Sequence, residues 1–191
     1  MKKIAMLFAC LLCAGMLTAN AEGLIVKAGA NFTSIESMDS KPFAGQFGVG
    51  FQTEIPDGIG FSFQPELVYK LVGFEYDKES MKRGYIEVPL NVQLGFNIGN
   101  TDNLHPFVFA GPYIGVGAGV FGDKKAELTK DDVLSKLEYG LGVGVGIDLW
   151  ILQLTAKYNW NLNTLSKASG SDFEGLREKP HIIEICVGIR F

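Results

Sequence analysis

The chain has 191 residues, of which 47% are hydrophobic and 20% charged, and its formal net charge at pH 7 is −4. This length suits one domain. The absence of a basic excess argues against nucleic acid as a partner.

The start of the chain has the layout of an export signal. Two lysines precede an apolar run over 4–17, and "TANA" at 18–21 ends in the small-x-small pattern of a signal-peptidase site. The apolar run is shorter than the roughly 20 residues of a membrane-spanning helix. We therefore predict a cleavable signal peptide over 1–21 and a mature domain over 22–191.

The cysteines fit an exported chain without disulfides. Cys10 and Cys13 leave with the signal peptide, so Cys186 is the one cysteine of the mature sequence and cannot form an internal disulfide. "LFAC" at 7–10 loosely resembles a lipidation box, but the apolar stretch before it is very short. The sequence therefore favours export without lipidation.

Eight segments of the mature domain alternate apolar and polar residues with a period of two, the pattern of half-buried strands. "QLTAKYNWNLN" at 153–163 is the clearest example. The segments have about nine to sixteen residues, whereas a tilted membrane-spanning strand needs about 9–11 and a soluble strand is typically about 5–6. In chain order they cover 23–32, 42–54, 59–71, 85–98, 106–121, 137–150, 152–163 and 183–191.

The connections between these segments alternate between short and long. Those near 55–58, 99–105 and 150–151 are short, and the others are longer and polar. Such alternation is typical of an up-and-down outer-membrane barrel, and an even number of strands places both termini on the short-turn, periplasmic side. The long connections lie near 33–41, 74–82, 122–136 and 166–179.

A soluble barrel or sandwich would also show a period of two, but three features favour a membrane barrel. The apolar face is bulky on nearly every segment, and the polar face is rich in Gly, Asn, Gln and Ser rather than in Lys and Glu. Aromatic residues also lie near the segment ends, as in the girdles at a bilayer interface. These aromatic residues are Phe61, Trp150, Tyr158, Trp160 and Phe191.

Glycines repeat on the polar face of two segments. Because an eight-stranded barrel has an interior only wide enough for side chains, we predict that these glycines face the lumen and leave room for longer residues of other strands. The predicted spacers are Gly115, Gly117, Gly119, Gly140, Gly142, Gly144 and Gly146.

Charged residues also occupy the alternate positions that are predicted to face the lumen. An unpaired charge in so narrow a space would cost several kcal/mol, so we predict a paired network that fills the lumen; an ion or proton path is the alternative. The predicted network comprises Lys27, Glu66, Lys70, Glu87, Glu138, Asp148, Lys157, Glu184 and Arg190.

Motifs for chemistry are sparse. The G-x-G-x-x-G match at 117–122 lacks the repeated β-α-β units of a dinucleotide fold, and His105 and His181 are expected at opposite ends of the barrel. We predict no catalytic residue, metal site or cofactor. The enzymatic alternative is a rim site that joins His181 to a loop serine and acid, drawn from Ser166, Ser169, Ser171, Glu174 and Glu178.

Several stretches resemble the PorT-like outer-membrane β-barrel proteins common in Bacteroidota. They are "YIEVPLNVQLGF" at 85–96, "PFVFAGPYIGVGAGV" at 106–120, "LEYGLGVGVGIDL" at 137–149 and the terminal "GIRF". The resemblance implies an eight-stranded barrel without assigned catalytic residues, and some relatives are linked to secretion and gliding machinery. The ending also resembles the signal read by the barrel-assembly machinery, with Ile189 and Phe191 as its apolar pair, although Cys186 occupies a position that is often glycine.

Taken together, these patterns predict an all-β protein, an eight-stranded antiparallel up-and-down transmembrane barrel of the outer membrane. We expect a non-enzymatic role that is structural or depends on partner binding through the long loops. The expected partners are outer-membrane lipid and lipopolysaccharide, the barrel-assembly machinery during biogenesis, and an envelope or secretion-machinery protein. The alternatives are a narrow porin or hydrophobic-solute transporter, a lipid-modifying enzyme, and a soluble exported barrel.

Overall fold

The structure is a computed structural model, and it describes residues 23–34, 43–54, 60–76, 79–96, 104–121, 136–164 and 179–191. These ranges contain nine strands and no helix, hence no helix that is long and apolar enough to cross a membrane. The strands are β1 (Leu24–Ser34), β2 (Phe43–Phe51), β3 (Thr53–Glu54), β4 (Phe61–Tyr76), β5 (Glu79–Gly95), β6 (Leu104–Phe121), β7 (Leu137–Leu149), β8 (Leu152–Asn161) and β9 (His181–Arg190).

The strands form one closed antiparallel barrel. Each strand from β4 to β9 pairs with its neighbour in sequence, β9 pairs with β1, and β2 pairs with both β1 and β4. The short β3 continues β2 beyond Gln52 and pairs with β4 as well. Together β2 and β3 count as one barrel strand, which confirms the predicted eight-stranded up-and-down architecture.

The two ends of the barrel differ in their connections. At the short-turn end, Trp150 and Ile151 alone join β7 to β8, and the chain begins β1 and finishes β9 there. At the opposite, long-connection end lie the strand termini that flank 35–42, 122–135 and 165–178, ranges outside the described residues. The predicted long connections near 33–41, 122–136 and 166–179 fall almost wholly within those ranges.

The predicted long connection near 74–82 is wrong. There β4 continues to Tyr76 and β5 begins at Glu79, and these two residues pair with each other. In this part the outward positions are no longer apolar, because only the part of a strand that faces lipid needs an apolar outer side, and apolar residues such as Val72 and Met81 are buried on the inward side instead. Backbone hydrogen bonds maintain the pairing beyond that point.

The barrel has polar side chains inside and apolar side chains outside. Lys70 and Glu87 are 0% and 1% exposed, whereas Val145 and Ile185 are 58% and 54% exposed. This is the reverse of a water-soluble protein and suits a wall surrounded by acyl chains.

Aromatic side chains lie at both margins of the apolar wall. Trp150 and Phe191 are largely exposed at the short-turn end, and Trp160 is half-exposed near the other. The Trp160 ring packs edge-on against Tyr158 at a centroid distance of 4.7 Å. Such girdles place amphipathic rings at the level of the lipid headgroups.

Candidate functional site

The centre of the lumen is a buried cluster of four charged side chains. The ammonium of Lys70 on β4 contacts the Glu87 carboxylate of β5 and lies 3.2 Å from Oε1 of Glu138 on β7. It is also 3.6 Å from Oε1 of Glu184 on β9. Carboxylates from three strands around the barrel therefore converge on one cation, so the cluster crosses the lumen.

Amide side chains donate further hydrogen bonds to the carboxylates of this cluster. Asn159 donates to Glu184 at 2.6 Å, and Gln46 donates to the other oxygen of the same carboxylate at 3.3 Å. Asn161 donates to Glu138 at 3.1 Å. These bonds stabilise charge that burial alone would disfavour.

The ring of Tyr113 lies between two lysines of the lumen. The Nζ atoms of Lys70 and Lys157 are 5.1 and 5.3 Å from its centroid, within cation–π range. Its hydroxyl also hydrogen-bonds the side chain of Asn161. An aromatic ring thus occupies the middle of the lumen.

Two further ion pairs lie in the lumen. Lys27 pairs with Glu66, whose carboxylate also accepts hydrogen bonds from Gln64 at 2.7 Å and Asn91 at 3.1 Å.

The second pair lies nearer the short-turn end. Arg190 lies 3.1 Å from Asp148, which also accepts a bond from Gln153 at 3.1 Å. The side chain of Arg190 is 33% exposed, so this pair is the more accessible to water.

The structure places all nine residues of the predicted network on the inward side of their strands. Lys157 faces Glu184 across the β8–β9 pair. Sequence reasoning missed Arg83, which is 7% exposed and lies 5.4 Å from the Tyr85 ring. With Arg83, the described lumen has five basic and five acidic residues. The alternation of this strand places Arg83 on the inward side, but the sequence predicted that the strand begins only at residue 85.

The glycines of β7 adjoin large side chains of neighbouring strands. A Cβ on Gly146 would overlap the ring of Phe107, with Cε2 at 2.6 Å. A Cβ on Gly140 would lie 2.5 Å from the Tyr113 hydroxyl. Gly144 and Gly142 are similarly crowded, by Phe109 and by Lys157 with Asn159. The space on β7 is therefore filled mostly by aromatic rings of β6.

The three predicted spacer glycines of β6 differ in how closely other atoms surround them. A Cβ on Gly117 would lie 2.5 Å from Nη2 of Arg83, whereas one on Gly115 would meet its nearest atom at an ordinary 3.5 Å. Gly119 is not a lumen spacer as predicted, because it is exposed and has a φ of +150°. The β5–β6 register shifts between Gly84 and Tyr85, and the extra residue of such a bulge reverses the parity beyond it.

The two histidines lie at opposite ends of the barrel. His105 is the second residue of β6 and faces Asp148 in the β6–β7 register, and His181 begins β9 with its ring stacked on Tyr158 at a centroid distance of 5.8 Å. The predicted rim partners Ser166, Ser169, Ser171, Glu174 and Glu178 lie outside the described residues.

Among the described residues, no group of three or more His, Cys, Asp or Glu side chains has a geometry that could hold a metal ion. Cys186 is buried in the lumen and accepts a bond from Gln46 at 2.9 Å. Ile189 and Phe191, the predicted assembly signal, are both on the exposed outer side, 43% and 66% accessible.

Comparison of the sequence with known families identifies its relatives. Residues 23–167 match the family described as outer membrane protein beta-barrel domain. The chain belongs to this family. It is accordingly a protein of the outer membrane, and its apolar wall is the surface that meets lipid. No protein of curated function matches the chain.

Solved structures of similar fold are also outer-membrane barrels. Neisserial surface protein A is 17% identical with a TM-score of 0.55, and the match covers 91% of this chain and all of that one. The outer membrane enzyme PagL is 11% identical with a TM-score of 0.55, covering 87% of this chain and 99% of that one. At such identities the likeness concerns the fold alone, since one fold serves many functions.

Proposed function

We propose that this protein is a non-enzymatic structural barrel of the outer membrane, closed to solutes, that binds a partner at its long-connection end. The observation that carries the proposal is the Lys70 cluster, in which carboxylates of three strands meet one buried ammonium. A pore would need a continuous water-filled path, and this cluster occupies the middle of the lumen.

The energetics of the cluster support a closed lumen. Removal of one partner from a buried, hydrogen-bonded ion pair typically costs about 3–5 kcal/mol. Opening a path past Lys70 would separate it from Glu138 or Glu184 and impose a similar cost. The cluster therefore links the strands on opposite sides of the barrel and keeps the interior filled.

Partner binding is proposed for the connections rather than for the lumen. In the sequence, the two longest stretches between strands, 122–136 and 162–180, both join strands at this end, as does 35–42. Loops carry function more often than the scaffold that holds them. The resemblance to PorT-like proteins suggests an envelope or secretion-machinery protein as the partner.

Single-channel recording of the refolded mature protein in a planar bilayer tests the closed lumen. We expect no steady conductance from wild type, and heat-modifiable gel migration would establish that the protein is folded and inserted. Glu87→Gln and Lys157→Gln alter the lumen charges, and Lys179→Gln, at an exposed position outside the strands, is the control. A steady conductance that the two lumen substitutions change and the control does not would instead support the transporter.

A further inference from the structure

We propose that a groove on the lipid-facing wall of β2, β4 and β5 binds one phosphorylated, multiply acylated lipid of the outer leaflet, of the lipid A type. The groove is open to the outside along the wall and has a volume of about 270 Å³, room for part of one acyl chain. It is lined by Phe47, Gly48, Val49, Leu67, Tyr69 and Ile86. The proposal concerns the outer wall and is independent of whether the lumen conducts.

The strand register explains why the wall is concave here. Phe47 pairs with Tyr69 across β2 and β4, and Tyr69 pairs with Ile86 across β4 and β5. The Phe47 and Tyr69 rings are tilted against each other with centroids 5.5 Å apart. Because lipid tails are as apolar as the wall itself, shape rather than hydrophobicity must select the tail that binds. A groove supplies that shape.

Polar groups lie on the long-connection side of the groove. A Cβ on Gly84 would lie 2.7 Å from the Tyr69 hydroxyl, so the Tyr69 ring extends over Gly84 toward that end. Lys82 is two residues beyond Gly84 on the same face, about 13 Å along the strand from Ile86. Gly73 faces Lys82 on β4 and adds no side chain. The outer wall thus offers the Tyr69 hydroxyl, and a lysine farther along the same face, on the long-connection side of an apolar groove.

This arrangement matches the chemistry of an acylated phosphate. A chain in the groove would bring its headgroup to Lys82, where a charge-assisted hydrogen bond to phosphate is strong. Lys82 lies near the start of β5, at the long-connection end, which faces the cell exterior in barrels of this type. The phosphorylated lipid of that leaflet is lipopolysaccharide, whose lipid A carries several acyl chains.

Native mass spectrometry of the refolded mature protein tests the headgroup contact. Lipid A, phosphatidylglycerol and phosphatidylethanolamine would be added at equal concentration, and we expect wild type to retain lipid A preferentially. Lys82→Gln should lower the retained lipid A about fivefold, because one lysine at a lipid surface contributes about 1 kcal/mol. Lys179→Gln, an exposed lysine preceding β9, should leave retention unchanged.

A second pair of variants tests the groove itself. Ile86→Trp fills the groove and should reduce lipid A retention by a similar factor. Ile185→Trp adds the same ring to β9, at a lipid-facing position that is 54% exposed, and should have no effect. Equal retention of the three lipids by wild type, or equal losses in the groove variants and their controls, would mean a non-specific annular layer and overturn the proposal.

Discussion

At the scale of single residues, glycine on the inward side of β7 is explained by the side chains of the neighbouring strands. Phe107 and Phe109 of β6 both point into the lumen, where they are 3% and 6% exposed. Their rings use the volume that side chains on Gly146 and Gly144 would take. The alternating glycines of β7 therefore leave the space in which the aromatic rings of β6 pack.

Substitution of Gly146 tests this packing. Gly146→Ala should destabilise the barrel by about 1–3 kcal/mol because the added methyl forces the Phe107 ring to move. The nearest atoms to that methyl all belong to Phe107, so Phe107→Leu should recover part of the loss. Reversible urea unfolding in lipid vesicles would measure both variants.

The matched control is Gly115, where an added Cβ would have ordinary contacts of 3.5 Å or more. Gly115→Ala should change the free energy of unfolding by less than about 0.5 kcal/mol, as is usual away from crowded sites. Equal losses at Gly146 and Gly115 would show that backbone effects, and not ring packing, determine the glycine pattern.

At the scale of strands, the period of two predicted the eight barrel strands and the inward parity of the charges. It could not predict which charges pair, because Lys70, Glu138 and Glu184 meet across the lumen from strands that are not neighbours. It also could not predict the bulge before Gly119, since one extra residue in a glycine-rich stretch leaves no mark on side-chain alternation. The ends of β4 and β5 were missed because their apolar residues, such as Val72 and Met81, are buried on the inward side, opposite to the apolar side of the rest of each strand.

The lipid-facing assignment of β7 can be tested by a charge placed at two depths. Val145 lies well inside this strand and is 58% exposed on the apolar wall. Val145→Arg should cost about 2–4 kcal/mol, as for arginine near the midplane, whereas Leu137→Arg at the strand end should cost about 0–1 kcal/mol. Urea unfolding in vesicles gives both values, and a tolerated arginine at 145 would refute the assigned orientation.

At the scale of the whole molecule, the charged side chains in the described part of the barrel differ in how accessible they are to water. The Lys70 cluster is sealed, with exposures of 0% for Lys70 and 1% for Glu87. The Arg190–Asp148 pair at the short-turn end has an arginine that is 33% exposed. Since salt screens accessible charges much more than buried ones, the two pairs should respond differently to ionic strength if the lumen is closed.

The dependence of two substitutions on salt therefore tests whether the interior is dry. Lys70→Met leaves three carboxylates without their shared cation and should cost about 3–5 kcal/mol. That loss should be the same at about 0.01 M and 1 M salt, although the Debye length falls from about 30 to 3 Å. The loss from Arg190→Met should be smaller and should decrease at high salt. If the Lys70→Met loss also shrinks with salt, ions reach the centre of the lumen, and the closed barrel must be replaced by a hydrated channel.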